Sequence, residues 1–325
     1  MATFTAPNRH LTLSEIEKEH QGNWYLDKIS KHNLYPIRAY PRPELHVYHL
    51  SHSTDLAGLQ GIQEDGGFRD PGYDQDPGLV WFSLTPTPED LSAAASRPMT
   101  LVHPGGKEEA WWSGVCPGLL QSFATSPAFS STSRYGSYRL TFDLSEVLDR
   151  YSEQFCDGEA PVLRTWSTEL YKQEVMYTVL VSSPYDDYDF YNSPELRENT
   201  ICSFREYPET HFLWRPQAMS ETHEERVVHR GNAVMTKPTF PNYYVWDHVT
   251  VALVLRDEVL RFPQQELRSS LRFCEKDQRP VDNHRTFESY KVAKKQVNYL
   301  WPGSGQVQKF KNSEYHIYNG NIYSE

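Results

Sequence analysis

The chain has 325 residues and a formal net charge of −11, with 32 Lys and Arg against 43 Asp and Glu. Hydrophobic residues make up 38% and aromatics 14%, including 8 Trp, 21 Tyr and 15 Phe. That aromatic load excludes a disordered chain and points to a core built on large rings. No apolar run of about 18 residues is present, which excludes a membrane-spanning helix, and the first residues lack the apolar stretch of a secretory signal.

Four cysteines, Cys116, Cys156, Cys202 and Cys274, are too dispersed for paired zinc-ribbon or redox motifs. Reduced, buried thiols and a cytoplasmic or nuclear location are expected. Charge is uneven: residues 261–325 carry a net charge of +4 and residues 1–260 carry −15. A general affinity for nucleic acid is excluded by the overall sign, but the last fifth could touch a polyanion.

Residues 12–32 predict a short helix with a Ser14/Glu17 capping box, and the Pro-punctuated YPIRAYPRPE after it reads as a linker. LHVYHL (Leu45–Leu50) predicts a strand. Ser53-Thr54-Asp55 caps a helix to about Glu64, which Gly66-Gly67 ends. LVWFSL (Leu79–Leu84) predicts a buried strand, and TPEDLSAAASR a capped helix. Residues 98–134 look irregular. YRLTFDL predicts a strand, SEVLDRY a short helix, and EVMYTVLV (Glu174–Val181) the clearest strand of the chain. The acidic stretch 182–199 reads as a boundary. Beyond it, HFLWR and VTVALVL predict strands, while QQELRSSLRFC and 285–300 predict helices. In the first of these, Leu267, Leu271 and Cys274 would share a face. The fold class is α+β, because strict βαβ alternation is missing.

Three residue patterns bear on chemistry. His46, His49 and His52 are spaced by three, but strand alternation turns His49 away from the other two, so no metal is expected. No cysteine stands in a nucleophile context, and neither GxGxxG nor GxxxxGK[ST] occurs. The third pattern carries more. VYHLSHSTDLAGLQGIQEDGGF combines a histidine strand, small polar residues, a short helix and Gly-Phe. GLVWFS, YRLTFDL and YKQEVMYTVLV follow in order. Together, over about residues 45–182, they resemble the ADP-ribosyltransferase superfamily in its histidine-type branch.

The resemblance implies a split β-sheet in residues 41–190, after an N-terminal helix and linker in 1–40 and before an α+β region in 191–325. It implies NAD as substrate, without metal, and mono-ADP-ribosyl transfer to a protein or nucleic-acid acceptor that the residues do not name. His49 would hold the ribose next to the nicotinamide, and Glu174 would stabilise the cationic transition state. Ser51, Trp81, Phe82, Ser83 and Tyr135 would shape the NAD pocket. The strands carrying His49 and Glu174 would then be neighbours in one sheet. Ser131-Thr132-Ser133 suits the arginine-directed branch, but Lys172 stands where that branch has an acid or amide. Two alternatives stay open: an inactive module that binds ADP-ribose or a protein, and a nucleic-acid scaffold using the basic C-terminal region. Against the last, Glu266, Glu275, Asp277, Asp282 and Glu288 are expected to interrupt any basic stripe.

Overall fold

The computed structural model describes residues 5–6, 40–70, 78–103, 107–111, 132–171, 174–186, 195–196, 202–216, 219–222, 225–230, 233–238, 242–245, 247–277 and 284–302. The expected helix in 12–32, Cys116, Ser131 and the tail beyond Pro302 lie outside them. Among the described residues, no helix is long and apolar enough to cross a membrane.

The architecture is mixed α+β around one eight-stranded sheet. Its strands are β1 (Thr5–Ala6), β2 (His49–Thr54), β3 (Leu79–Leu84), β4 (Tyr138–Asp143), β5 (Val162–Tyr171), β6 (Glu174–Ser182), β7 (Asp247–Val254) and β8 (Leu271–Phe273). Their order across the sheet is β1-β5-β6-β7-β3-β2-β4-β8. Only β6 and β7 run parallel; the other neighbours are antiparallel.

This order corrects two expectations. The boundary drawn at 190/191 cuts through the sheet, because β7 from the C-terminal region sits between β6 and β3. VTVALVL is apolar at nearly every position, and such a strand is buried in the middle of a sheet rather than set in a separate layer. The histidine strand and the Glu174 strand share the sheet, but β7 and β3 stand between them, so they are not neighbours.

Five helices among the described residues join the core on one face of the sheet. In α1 (Leu56–Asp65), Asp55 caps the start by accepting from the Gly58 amide at 3.1 Å, and Gly66 ends the helix at φ +68°. In α2 (Pro88–Ala95), Thr87 and Asp90 form a reciprocal capping box, and Pro88 opens the first turn. In α3 (Leu144–Phe155), Leu144, Val147, Leu148 and Tyr151 fall at helical spacing and all are buried. α4 spans Gln264–Ser270 and α5 spans Tyr290–Leu300.

Strand alternation decides which side chains meet these helices. Leu50, Phe82, Leu84, Leu140, Phe142, Tyr177, Val179, Val249 and Val251 belong to the main core cluster with Leu59, Leu91, Leu148, Leu267 and Val297. A smaller cluster of Leu79, Leu180, Ala252 and Val254 lies on the other face, with Trp81 and Trp166 packed on it.

Three local expectations are also corrected. LHVYHL is not one strand: Leu45–Val47 pairs with His211–Trp214 in a small sheet, and a break at Tyr48 starts β2, which runs on to Thr54. QQELRSSLRFC is helical only to Ser270. Leu271 turns extended and pairs with Leu140, so the sheet edge overrides the helical periodicity, and Leu271 and Cys274 reach the core from extended backbone. Within 98–134, Met99–Val102 and Glu108–Trp111 form an antiparallel pair. Cys156, Cys202 and Cys274 are buried free thiols.

Candidate functional site

At the end of the sheet where β2 begins and β4 ends, His49 stands opposite Asp143. α3 leaves β4 at this point, tied back by the Leu144 amide donating to the Tyr48 carbonyl at 2.7 Å. The start of α2 contributes Thr87, Pro88 and Glu89, and α4 and the start of β8 contribute Glu266, Ser269, Ser270 and Arg272. Between them lies a cleft of about 390 Å³.

His49 is partly exposed in this cleft, and its Nε2 lies 3.2 Å from Asp143 Oδ1. Its Nδ1 is buried without a hydrogen-bond partner, as is the Thr141 hydroxyl. The strongest electrostatic feature is a pair of acids the sequence reading did not single out. Glu146 on α3 and Glu266 on α4 line the cleft together, and Arg150 reaches both. Burial, first, and then the neighbouring Glu266 carboxyl push the Glu146 carboxyl up to about 7. Arg150 works in the opposite direction. Its Nη2 reaches Glu266 Oε2 at 2.5 Å, its Nε lies 3.7 Å from Glu146 Oε1, and its guanidinium rests 5.2 Å above the Phe262 ring. Near neutral pH the pair therefore holds a proton that it can give or take. A weak signal for it was present: Glu146 and Arg150 are four apart on a helix. Glu266 could not have been added, because only the fold brings α4 to α3.

The residues expected to form the NAD pocket divide. Ser51 and Ser83 are directly opposed across β2 and β3. The Ser51 hydroxyl lies 2.7 Å from that of Thr85, which donates in turn to the Ser83 carbonyl. Trp81 stacks on Trp166 with centroids 6.1 Å apart. Phe82 does not belong with them. It faces the core, 1% exposed, edge-on to Phe68 and His52. Tyr135 is also misplaced. It follows Ser133 and precedes Tyr138, which pairs with Thr54, so it lies at the far end of β2 from His49. Glu174 opens β6 opposite Tyr171. Three inter-strand spacings separate β6 from β2, about 14 Å between their backbones, so the strands that begin at Glu174 and His49 do not pair.

The three histidines of HVYHLSH go to three environments. His46 stacks on His211 at 4.7 Å. His52 is in the core with Nδ1 2.8 Å from the Trp81 carbonyl, and burial holds its pKa below the usual range. Among the described residues, no group of three or more His, Cys, Asp or Glu is arranged to hold a metal ion. Comparison with protein-family models, curated proteins and solved structures finds no match to this chain.

Proposed function

We propose that the chain transfers ADP-ribose from NAD, with the chemistry in the cleft beside His49. The observation that carries this reading is the folding of the strand–helix–Gly-Phe–strand segment as one unit. β2 pairs with β3 across Ser51 and Ser83, α1 and Gly67–Phe68 connect them, and His49 emerges at the cleft. In this reading His49 bonds a ribose hydroxyl. The bond from C1′ of the ribose to the nicotinamide nitrogen breaks, and its electron pair leaves with nicotinamide. An ionised carboxyl of the Glu146–Glu266 pair stabilises the ribose cation. The acceptor then bonds to C1′, and its proton passes to that carboxyl. The role that the resemblance gives to Glu174 moves to this pair, because Glu174 starts a strand two places away from the pairing partner of β2.

Labelled-NAD turnover tests the assignment. His49→Ala and Glu146→Gln are each expected to lower nicotinamide release by about 10²-fold, with Glu174→Gln close to wild type. Loss of turnover in Glu174→Gln alone would return the role to Glu174. Absence of both binding and turnover in the wild-type protein would end the NAD reading. A second reading is a module that binds NAD or ADP-ribose without turnover, favoured by that same separation of the Glu174 strand from the His49 strand. Calorimetric binding of NAD with no release of nicotinamide would select it.

A further inference from the structure

We propose that the exposed face of α5 (Tyr290–Leu300) is a docking surface for single-stranded nucleic acid. Its sequence, YKVAKKQVNYL, contains three lysines and no acid. The helix buries Ala293 and Val297, which leaves Lys291, Lys294 and Lys295 exposed on the outer side. Residues three and four apart on a helix are about 5–6 Å from one another, so the three ammonium groups form one compact basic face. Among the described residues none of the three has an ion-pair partner. Lys276, whose Nζ lies 5.4 Å above the Phe287 ring, adds a cation near the start of the helix.

The acids expected to dilute this charge are mostly turned elsewhere. Glu266 is paired with Arg150, Asp277 accepts from the Thr132 hydroxyl at 2.9 Å, and Glu288 accepts from the Tyr138 hydroxyl. Asp282 lies outside the described residues, and Glu275 remains exposed on its strand. Spacing along the chain therefore understated how far the fold separates lysines from carboxylates.

Charge complementarity selects a polyanion, and an exposed ring selects among polyanions. Tyr299, four residues after Lys295 and so next to it on the helix surface, is 77% exposed. An exposed ring beside lysines suits a partner that offers bases to stack on, at a sequence-tolerant gain per base. A lipid surface would need the apolar face of the helix, which is already buried in the core through Ala293 and Val297. An acidic peptide would leave Tyr299 unused. The chain's net charge of −11 keeps the affinity modest and strongly salt-dependent.

The test is fluorescence anisotropy of a labelled oligothymidylate with the full-length protein across a salt series. Three phosphate contacts on a single strand give a slope of about −2 in log affinity against log salt, roughly a 15-fold loss between about 50 and 200 mM. Lys291→Glu, Lys294→Glu and Lys295→Glu together should abolish binding. Tyr299→Ala should weaken it roughly tenfold with the slope unchanged, and Tyr299→Phe should restore it. No binding at low salt, or binding indifferent to the lysine changes, overturns the proposal. Equal affinity for polyglutamate with a silent Tyr299→Ala would assign the face to an acidic protein. Salt-sensitive self-association lost in the lysine variant would assign it to a second copy of the chain.

Discussion

The two faces of the eight-stranded sheet carry opposite chemistry on the same strands. One presents Leu50 and His52, Phe82 and Leu84, Leu140 and Phe142, Val249 and Val251, and Tyr177 and Val179. The other presents His49 and Ser51, Trp81 and Ser83, Thr141 and Asp143, Thr250 and Ala252, and Thr178 and Leu180. The first face is continuous with every helix of the described chain. The second has a four-residue apolar cluster under Trp81 and Trp166, and hydroxyls, His49 and Asp143 toward the cleft. Alternation lets β2 anchor the core with Leu50 and offer His49 to the cleft with the preceding residue. A short strand can therefore be structural and chemical at once, and neither role shows in its average hydropathy.

The largest expected effect separates adjacent residues of β3. Phe82→Ala removes a ring 1% exposed and in edge contact with Phe68 at 5.1 Å. It should cost about 3–5 kcal/mol of stability in denaturant unfolding. Ser83→Ala, one residue on and on the other face, should cost less than about 1 kcal/mol. Equal costs would mean that the two faces are not the divided surfaces described here.

Much of the fold was legible because local signals agreed with one another. Asp55 and Gly66 bracket α1, the Thr87-Pro88-Asp90 box opens α2, and the apolar runs at Leu79 and Val249 mark strands of the sheet. The failures arose where partners distant in the chain decided the outcome. Leu271 obeys a helical period in sequence but pairs with Leu140. One of the two partners of the Glu174 strand comes from 247–254, about 70 residues later in the chain. Of the residues the sequence pointed to, only His49 lines the cleft; Ser51, Trp81 and Ser83 share its face of the sheet but do not line the cleft. Phe82 lies between Trp81 and Ser83 in the chain, but alternation assigns it to the opposite face, in the core. Glu146 and Glu266 stand 120 residues apart in the chain. No local pattern joins them.

A middle-sized effect probes the polar face directly. Ser51 is 4% exposed and shares a 2.7 Å contact with the Thr85 hydroxyl. Ser51→Ala should cost about 1 kcal/mol, because Thr85 keeps its bond to the Ser83 carbonyl and is not left wholly unsatisfied. Adding Thr85→Val should cost less than the sum of the two single changes in a double-mutant cycle. Strict additivity would show that the hydroxyls do not couple β2 to the loop after β3.

The smallest expected effect concerns the cleft and is a matter of sign. Glu146 keeps its proton to about pH 7 in the folded chain, whereas an ordinary glutamate loses it near 4.5. Between those values the folded state binds more protons than the unfolded state, so rising pH favours unfolding. The contribution is complete below about pH 4.5 and is lost as pH rises through about 7. Glu146→Gln removes this dependence. The difference in Tm between Glu146→Gln and wild type should therefore rise from about pH 5 to about pH 8, in favour of the variant at the alkaline end. Partial exposure of both carboxyls and the compensating charge of Arg150 keep the change to a few degrees or less. Glu266→Gln separates the causes. It deletes the neighbouring charge but leaves the burial of Glu146, so the pH dependence should shrink without vanishing. A Tm difference that is flat with pH in both variants would show that no proton is held between α3 and α4, and would remove the acid–base pair from the cleft.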